Sequence, residues 1–337
     1  MKRSSFALAV ALLLALTACS SADDPAPGSS AAGGAWPVKM SHKYGETTIP
    51  AEPKRIVTVG LMEQDALIAL GVVPIATTNW LGEYPGAIGP WAQDELKTLG
   101  GTNPEVLKDT GGGPEFEKIA ALKPDLILAL YSGVTKEQYD TLSGIAPTVA
   151  QPKEYADYGI PWQEITTNVG QAIGKADRAT SLVRDVEAKF EAARQANPAF
   201  AGKSALVATP YEGTFVYGSQ DNRTRILTAL GFGLPADLDK VIGDAFGANI
   251  SAERTDLLDR DALVWIVTDP AADKTKLHAD RVYGGLRVAK EGREVFIDEG
   301  EPYGHAFSFV SALSLPYLLE QLVPQLAAAV DGNPATT

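Results

Sequence analysis

The sequence predicts an α/β protein: two lobes of parallel β-sheet joined by one long rigid helix. Three observations predict it. Short apolar runs bounded by turn residues alternate with helix-patterned segments on both sides of the centre of the chain. Between them, from Pro161 to Gln195, Ile165, Val169, Ile173, Leu182, Val186 and Phe190 recur at a spacing that suits one helix face, with Gly174 as the residue able to bend it. The two halves then echo each other. Glu117 precedes Asp125 and a strand as Glu253 precedes Asp261 and a strand, and Ala69-Leu70-Gly71 is matched by Ala229-Leu230-Gly231.

The elements follow in order. Lys2 and Arg3 precede an apolar run from Phe6 to Leu16, too short for a membrane span but long enough for the centre of a secretory signal. The string Leu16-Thr17-Ala18-Cys19 resembles the bacterial lipobox, which implies cleavage after residue 18 and a lipid on Cys19. Residues 19–35 are small and polar, a composition for a tether. A first lobe is expected over 36–160. Its strands are Arg55 to Gly60, Val72 to Thr77, Asp125 to Leu130 and Pro147 to Ala150; its helices are Glu63 to Leu70, Glu115 to Leu122 and Tyr139 to Ile145. The long helix spans 161–196 and a second lobe 197–331, with strands at Ala205 to Thr209, Ala262 to Val267 and Glu294 to Ile297. Helices are expected around Arg225 to Leu230 and from Leu313 to Val330, before a tail over 332–337.

Composition narrows the function. With 337 residues, 45% hydrophobic and 21% charged, the chain can bury a large core. A net charge of −13 argues against nucleic acid as a partner. One cysteine excludes an internal disulfide, and histidines at 42, 278 and 305 lack metal-ligand spacing, so no metal site or cofactor is expected. There is no Gly-x-Ser-x-Gly elbow, no phosphate-binding Gly-x-x-x-x-Gly-Lys-Ser/Thr and no His-Glu-x-x-His. An enzyme is not expected.

In open parallel sheets ligands gather beyond the carboxyl ends of the strands. On the first lobe this selects Leu61-Met62-Glu63, with Met62 read as packing, and then Trp80, Tyr84, Trp91 and Tyr131. On the second it selects Tyr211, Tyr217, Arg223, Arg225, Asp269, Tyr303 and His305. Aromatic rings with two arginines in an acidic chain suit a bulky, ring-bearing anion, because guanidinium pairs with carboxylate or catecholate oxygens while rings cover apolar surface. Each aromatic is also an ordinary core residue, and each arginine an ordinary solvated charge.

Several segments together resemble one family, the periplasmic or lipid-anchored substrate-binding proteins of ABC importers for iron-siderophores and cobalamin. They are Pro53-Lys-Arg-Ile-Val-Thr-Val-Gly60, Ala69-Leu-Gly-Val-Val-Pro74, Glu115 to Ile127 with its Leu-Lys-Pro-Asp-Leu-Ile end, and Tyr139 to Pro147. The resemblance implies two Rossmann-like lobes in the class III architecture and a monomeric, non-enzymatic binder of a ferric siderophore. The siderophore type, whether hydroxamate, catecholate or mixed carboxylate, stays open, with cobalamin or haem as alternatives and a secreted lipoprotein hydrolase as a more distant one. The resemblance also implies that Glu117 and Glu253, one per lobe, dock on arginines of the permease. Each is equally placed to act as a carboxylate stabilising a helix start.

Overall fold

A computed structural model describes residues 36–108 and 113–336; the leader, Cys19 and the tether lie outside them. The chain enters through an antiparallel hairpin, β1 (Val38–His42) and β2 (Gly45–Ile49). The first lobe then runs β3 (Ile56–Thr58), α1 (Glu63–Ala69), β4 (Ala76–Thr78), α2 (Gln93–Thr98), β5 (Glu105–Leu107), α3 (Phe116–Leu122), β6 (Leu126–Ala129), α4 (Lys136–Ser143) and β7 (Thr148–Ala150). Its strands lie in the order β5-β4-β3-β6-β7, every pair parallel. β3, β6 and β7 are buried along their whole length, as a sheet covered on both faces requires. Helix α4 opens on a capping box, with Gln138 N donating to Thr135 Oγ1 and Thr135 N to Gln138 Oε1.

The expected single rod is two helices. Helix α5 (Trp162–Ala172) stops at Gly174, whose φ of 71° turns the chain back, and α6 (Ala176–Ala196) returns along it, so that Gln163 Nε2 lies 3.4 Å from Glu187 Oε1. Helix α5 packs on α1 and β1, whereas α6 leads into the second lobe.

That lobe runs β8 (Ala205–Thr209), β9 (Thr214–Tyr217), α7 (Asn222–Ala229), α8 (Leu238–Ile242), β10 (Gly247–Ile250), β11 (Ala262–Val267), α9 (Pro270–Ala279), α10 (Arg287–Lys290), β12 (Glu294–Asp298), α11 (Pro302–Ser308) and α12 (Ser314–Asp331). The strand order is β10-β9-β8-β11-β12. This sheet is mixed rather than parallel: β8, β11 and β12 run together, while β9 pairs antiparallel with both β8 and β10. A hairpin loop of four residues, 210–213, joins β8 to β9, and so short a link permits only an antiparallel partner.

The internal repeat has a structural meaning. Asp125, just before β6, accepts hydrogen bonds from Lys54 N and Arg55 N (2.8 Å each) at the entry to β3. Asp261, just before β11, accepts from Ser204 N (2.9 Å) and Ser204 Oγ (3.1 Å) at the entry to β8. One buried cluster runs through both lobes, from Met40, Leu67 and Leu128 across Val169 and Phe190 to Val264, Leu322 and Ala329.

Candidate functional site

Between the sheets lies a cavity of about 740 Å³, within the range of small-molecule sites. The first lobe lines it with the ends of its strands and the segments beyond them: Val59 and Leu61 after β3, Thr78 to Trp80 at the end of β4, Leu107 at the end of β5 with Lys108 after it, and Tyr131 to Thr135 after β6. The second lobe contributes Tyr217, Arg223 and Phe246, and Tyr158 comes from the segment between β7 and α5. The rings form a chain across the gap. Trp80 lies 6.5 Å from Tyr131, Tyr131 5.4 Å from Tyr158, and Tyr158 6.3 Å from Phe246, as measured between centroids.

The first-lobe wall is held from behind. Glu63, fully buried at the start of α1, accepts from Leu130 N (2.5 Å) and Tyr131 N (3.0 Å) through Oε1 and from Met62 N (3.1 Å) through Oε2. Burial raises its pKa, and those backbone bonds work against the rise. Gly60 makes room for this carboxylate, since a Cβ there would lie 1.8 Å from Glu63 Oε1. Met62 is buried packing.

Of the residues expected to face a ligand, Trp80, Tyr131, Tyr217 and Arg223 line the cavity. The others lie elsewhere. Trp91 donates through Nε1 to Asp65 Oδ2 (2.6 Å), the same oxygen that receives Ser311 Oγ from the second lobe (2.5 Å). Tyr84 Oη and His305 Nδ1 share a hydrogen bond (2.5 Å), also between lobes. Arg225 donates to Gly159 O (2.7 Å) beside a different recess. Tyr303 packs against the main core with its hydroxyl buried. Tyr211, 61% exposed, belongs to a neighbouring recess that shares Tyr217 and Phe246 as its wall, and Asp269 caps α9. Four of the expected ligand residues, Tyr84, Trp91, Arg225 and His305, thus make contacts that fasten parts of the chain together.

Sequence reasoning missed Tyr158, Phe246 and Asp221. Asp221 could have been found: it immediately precedes Asn222-Arg-Thr, a helix start, and it is the N-cap of α7. It also meets Arg223 in a two-point contact, receiving Nε (2.8 Å) and Nη2 (2.6 Å), while the guanidinium sits 4.0 Å from the centre of the Tyr217 ring. Burial pulls the Arg223 pKa down, but Asp221 outweighs it and holds the group above its ordinary value. Glu117 and Glu253 are exposed in the first turns of α3 and of a 3-10 helix, Ala252–Leu258. Among the described residues no group of three metal-ligating side chains could hold an ion, and no helix is long and apolar enough to cross a membrane.

The family model for the periplasmic binding protein matches residues 56–300. The chain belongs to that family. A periplasmic solute binding protein of Mycobacterium smegmatis is 36% identical, with a TM-score of 0.74 over 87% of this chain and 99% of that one. PiaA of Streptococcus pneumoniae, solved in complex with ferrichrome, is 27% identical, with a TM-score of 0.79 over 88% and 99%. YhfQ of Bacillus subtilis, named as an ABC transporter substrate-binding lipoprotein, is 26% identical over 89% of this chain and 97% of its own length. As a periplasmic binding protein the chain is a solute-binding component of transport and not an enzyme, and the class III architecture is the one its fold shares with those structures.

Proposed function

We propose that this periplasmic binding protein captures a ferric siderophore outside the cytoplasm and delivers it to an ABC permease. One observation carries the reading: a cavity between the lobes with five aromatic rings, Trp80, Tyr131, Tyr158, Tyr217 and Phe246, and the buried guanidinium of Arg223. Rings cover the apolar periphery of a chelate, and a guanidinium meets its oxygens. The iron arrives with its coordination filled by the chelator, so the walls need no cluster of histidine and carboxylate ligands and no cofactor of their own. The ferrichrome held by PiaA and the naming of YhfQ support the same reading.

Delivery would use Glu117 and Glu253, which are exposed at corresponding places ahead of β6 and β11. We place the protein at the membrane through a lipid on Cys19 and read it as a monomer. Adding a ferric chelate to the purified protein is expected to quench tryptophan fluorescence, mainly through Trp80 on the cavity wall. A signal unchanged across hydroxamate, catecholate and carboxylate chelates would overturn the reading. Replacing Glu117 and Glu253 together with lysine should leave chelate affinity within about twofold, because both lie on the exposed surface, and should abolish uptake in cells.

A further inference from the structure

An anion-binding cleft needs surplus positive charge, and the described residues of these walls hold none. Among the described lining residues the charged side chains are Arg223, Lys108 and Glu115. Asp221, fully buried behind Arg223, occupies Nε and Nη2 and also accepts from Arg223 N (2.8 Å). The pair is therefore neutral in sum, with Nη1 the guanidinium nitrogen that has no partner among the described residues. At the rim the charges of Lys108 and Lys118 are matched in number by Glu115, which accepts from Lys108 N (2.8 Å) and lies 3.9 Å from Lys118 Nζ, and by Glu105, 3.2 Å from Lys118 Nζ. Uncharged groups make up the rest of the described wall, including Thr78, Asn79, Ser132 and Gln138.

We infer that Asp221 is the specificity-determining residue that sets the charge class of the ligand, tuning the cleft for an electrically neutral ferric chelate. This rests on the siderophore reading above. Three hydroxamates carry one negative charge each and cancel the charge of ferric iron, so their complex enters a neutral, ring-lined cavity with no unpaired charge. Three catecholates leave three negative charges on the complex. Taking those out of water against a guanidinium already neutralised by Asp221 has no matching gain. Nη1 then serves as a hydrogen-bond donor to a chelate oxygen, not as a counter-charge.

The substitution Asp221→Asn tests this, because asparagine caps a helix about as well as aspartate while releasing the charge of Arg223. Wild type and variant are titrated by fluorescence with ferrichrome, a neutral tris-hydroxamate, and with ferric enterobactin, a trianionic tris-catecholate. Circular dichroism and thermal melting confirm the fold of each. Wild type is expected to prefer ferrichrome, and D221N to shift the ratio of affinities about tenfold or more toward ferric enterobactin. A wild type that binds the trianion more tightly, or a folded D221N whose ratio is unchanged, overturns the inference and leaves the siderophore reading intact. Binding of neither chelate counts against both. Should D221N fail to fold, the wild-type preference alone decides, supplemented by the salt dependence of each affinity: a steep dependence for the trianion at high affinity would overturn the neutral-cleft assignment.

Discussion

The two sheets share a strand order and differ in one strand. In the first lobe β3, α1 and β4 form a crossover that places β4 parallel beside β3. In the second, the chain after α7 begins the same move, pairing Gly233 in parallel with Ser204 at the foot of β8, but the hairpin strand β9 already fills the slot. The first lobe therefore meets the cavity with loops beyond four strands, and the second with the end of β9, the start of α7 and the residue before β10. The helix starts diverge as well. Six residues ahead of Ala69 stands Glu63, which turns inward to clamp backbone; six ahead of Ala229 stands Arg223, which faces the ligand space. The same strand order with one hairpin strand thus yields one lobe whose helix start shapes the cavity wall through the backbone and another whose helix start brings a guanidinium to it.

The largest expected effect comes from breaking the first lobe's clamp. Glu63→Ala leaves three buried N–H groups unsatisfied and opens a void beside Tyr131. Chemical denaturation should register a loss of about 3 kcal/mol or more. A loss under about 1 kcal/mol would mean that the clamp is not what orders that wall.

A second test concerns Asp65, two residues on in α1, whose counterpart in the other lobe is Arg225. Burial raises its pKa to about 6, against the bonds from Ser311 and Trp91. A raised carboxylate pKa means that the folded state binds the proton more tightly than the unfolded one. Its contribution is therefore favourable at low pH and is lost as pH rises from about 4 through about 6, a swing of at most about 3 kcal/mol. Asp65→Asn keeps a carbonyl oxygen for both donors and should flatten that slope. Stability should then be equal or greater at neutral pH, as seen in melts across pH 4 to 8.

The smallest expected effect is at the turn joining the two helices between the lobes. Gly174→Ala imposes a left-handed conformation on a residue with a Cβ, costing about 1 kcal/mol. Thermal melting that shows no change would indicate that the turn adjusts.

What could be read from the sequence follows from burial. β11, Ala262–Val267, is buried along its length and reads directly as a strand. β9 escaped because its signal is a turn, Pro210 to Gly213, followed by only four residues, and β10, Gly-Ala-Asn-Ile, has little strand character. The rod was misread because the four-residue recurrence on each side of Gly174 was joined across it, although the step from Ile173 to Leu182 would set those two on opposite faces of a continuous helix; that break in phase marks the interruption but not that the second helix runs back. In the site, Trp80 and Tyr217 stood out by type and position. Trp91, Arg225 and His305 have the same chemistry but spend it on Asp65, Gly159 and Tyr84, a distinction that only three dimensions supply.

The apolar cluster that reaches from Met40 to Ala329 without a seam bears on how the protein comes apart. Neither half can be peeled from the other without exposing side chains that the partner half now shelters. The folded body should therefore lose its order in one cooperative melting event, and neither half, expressed alone, should hold its native packing.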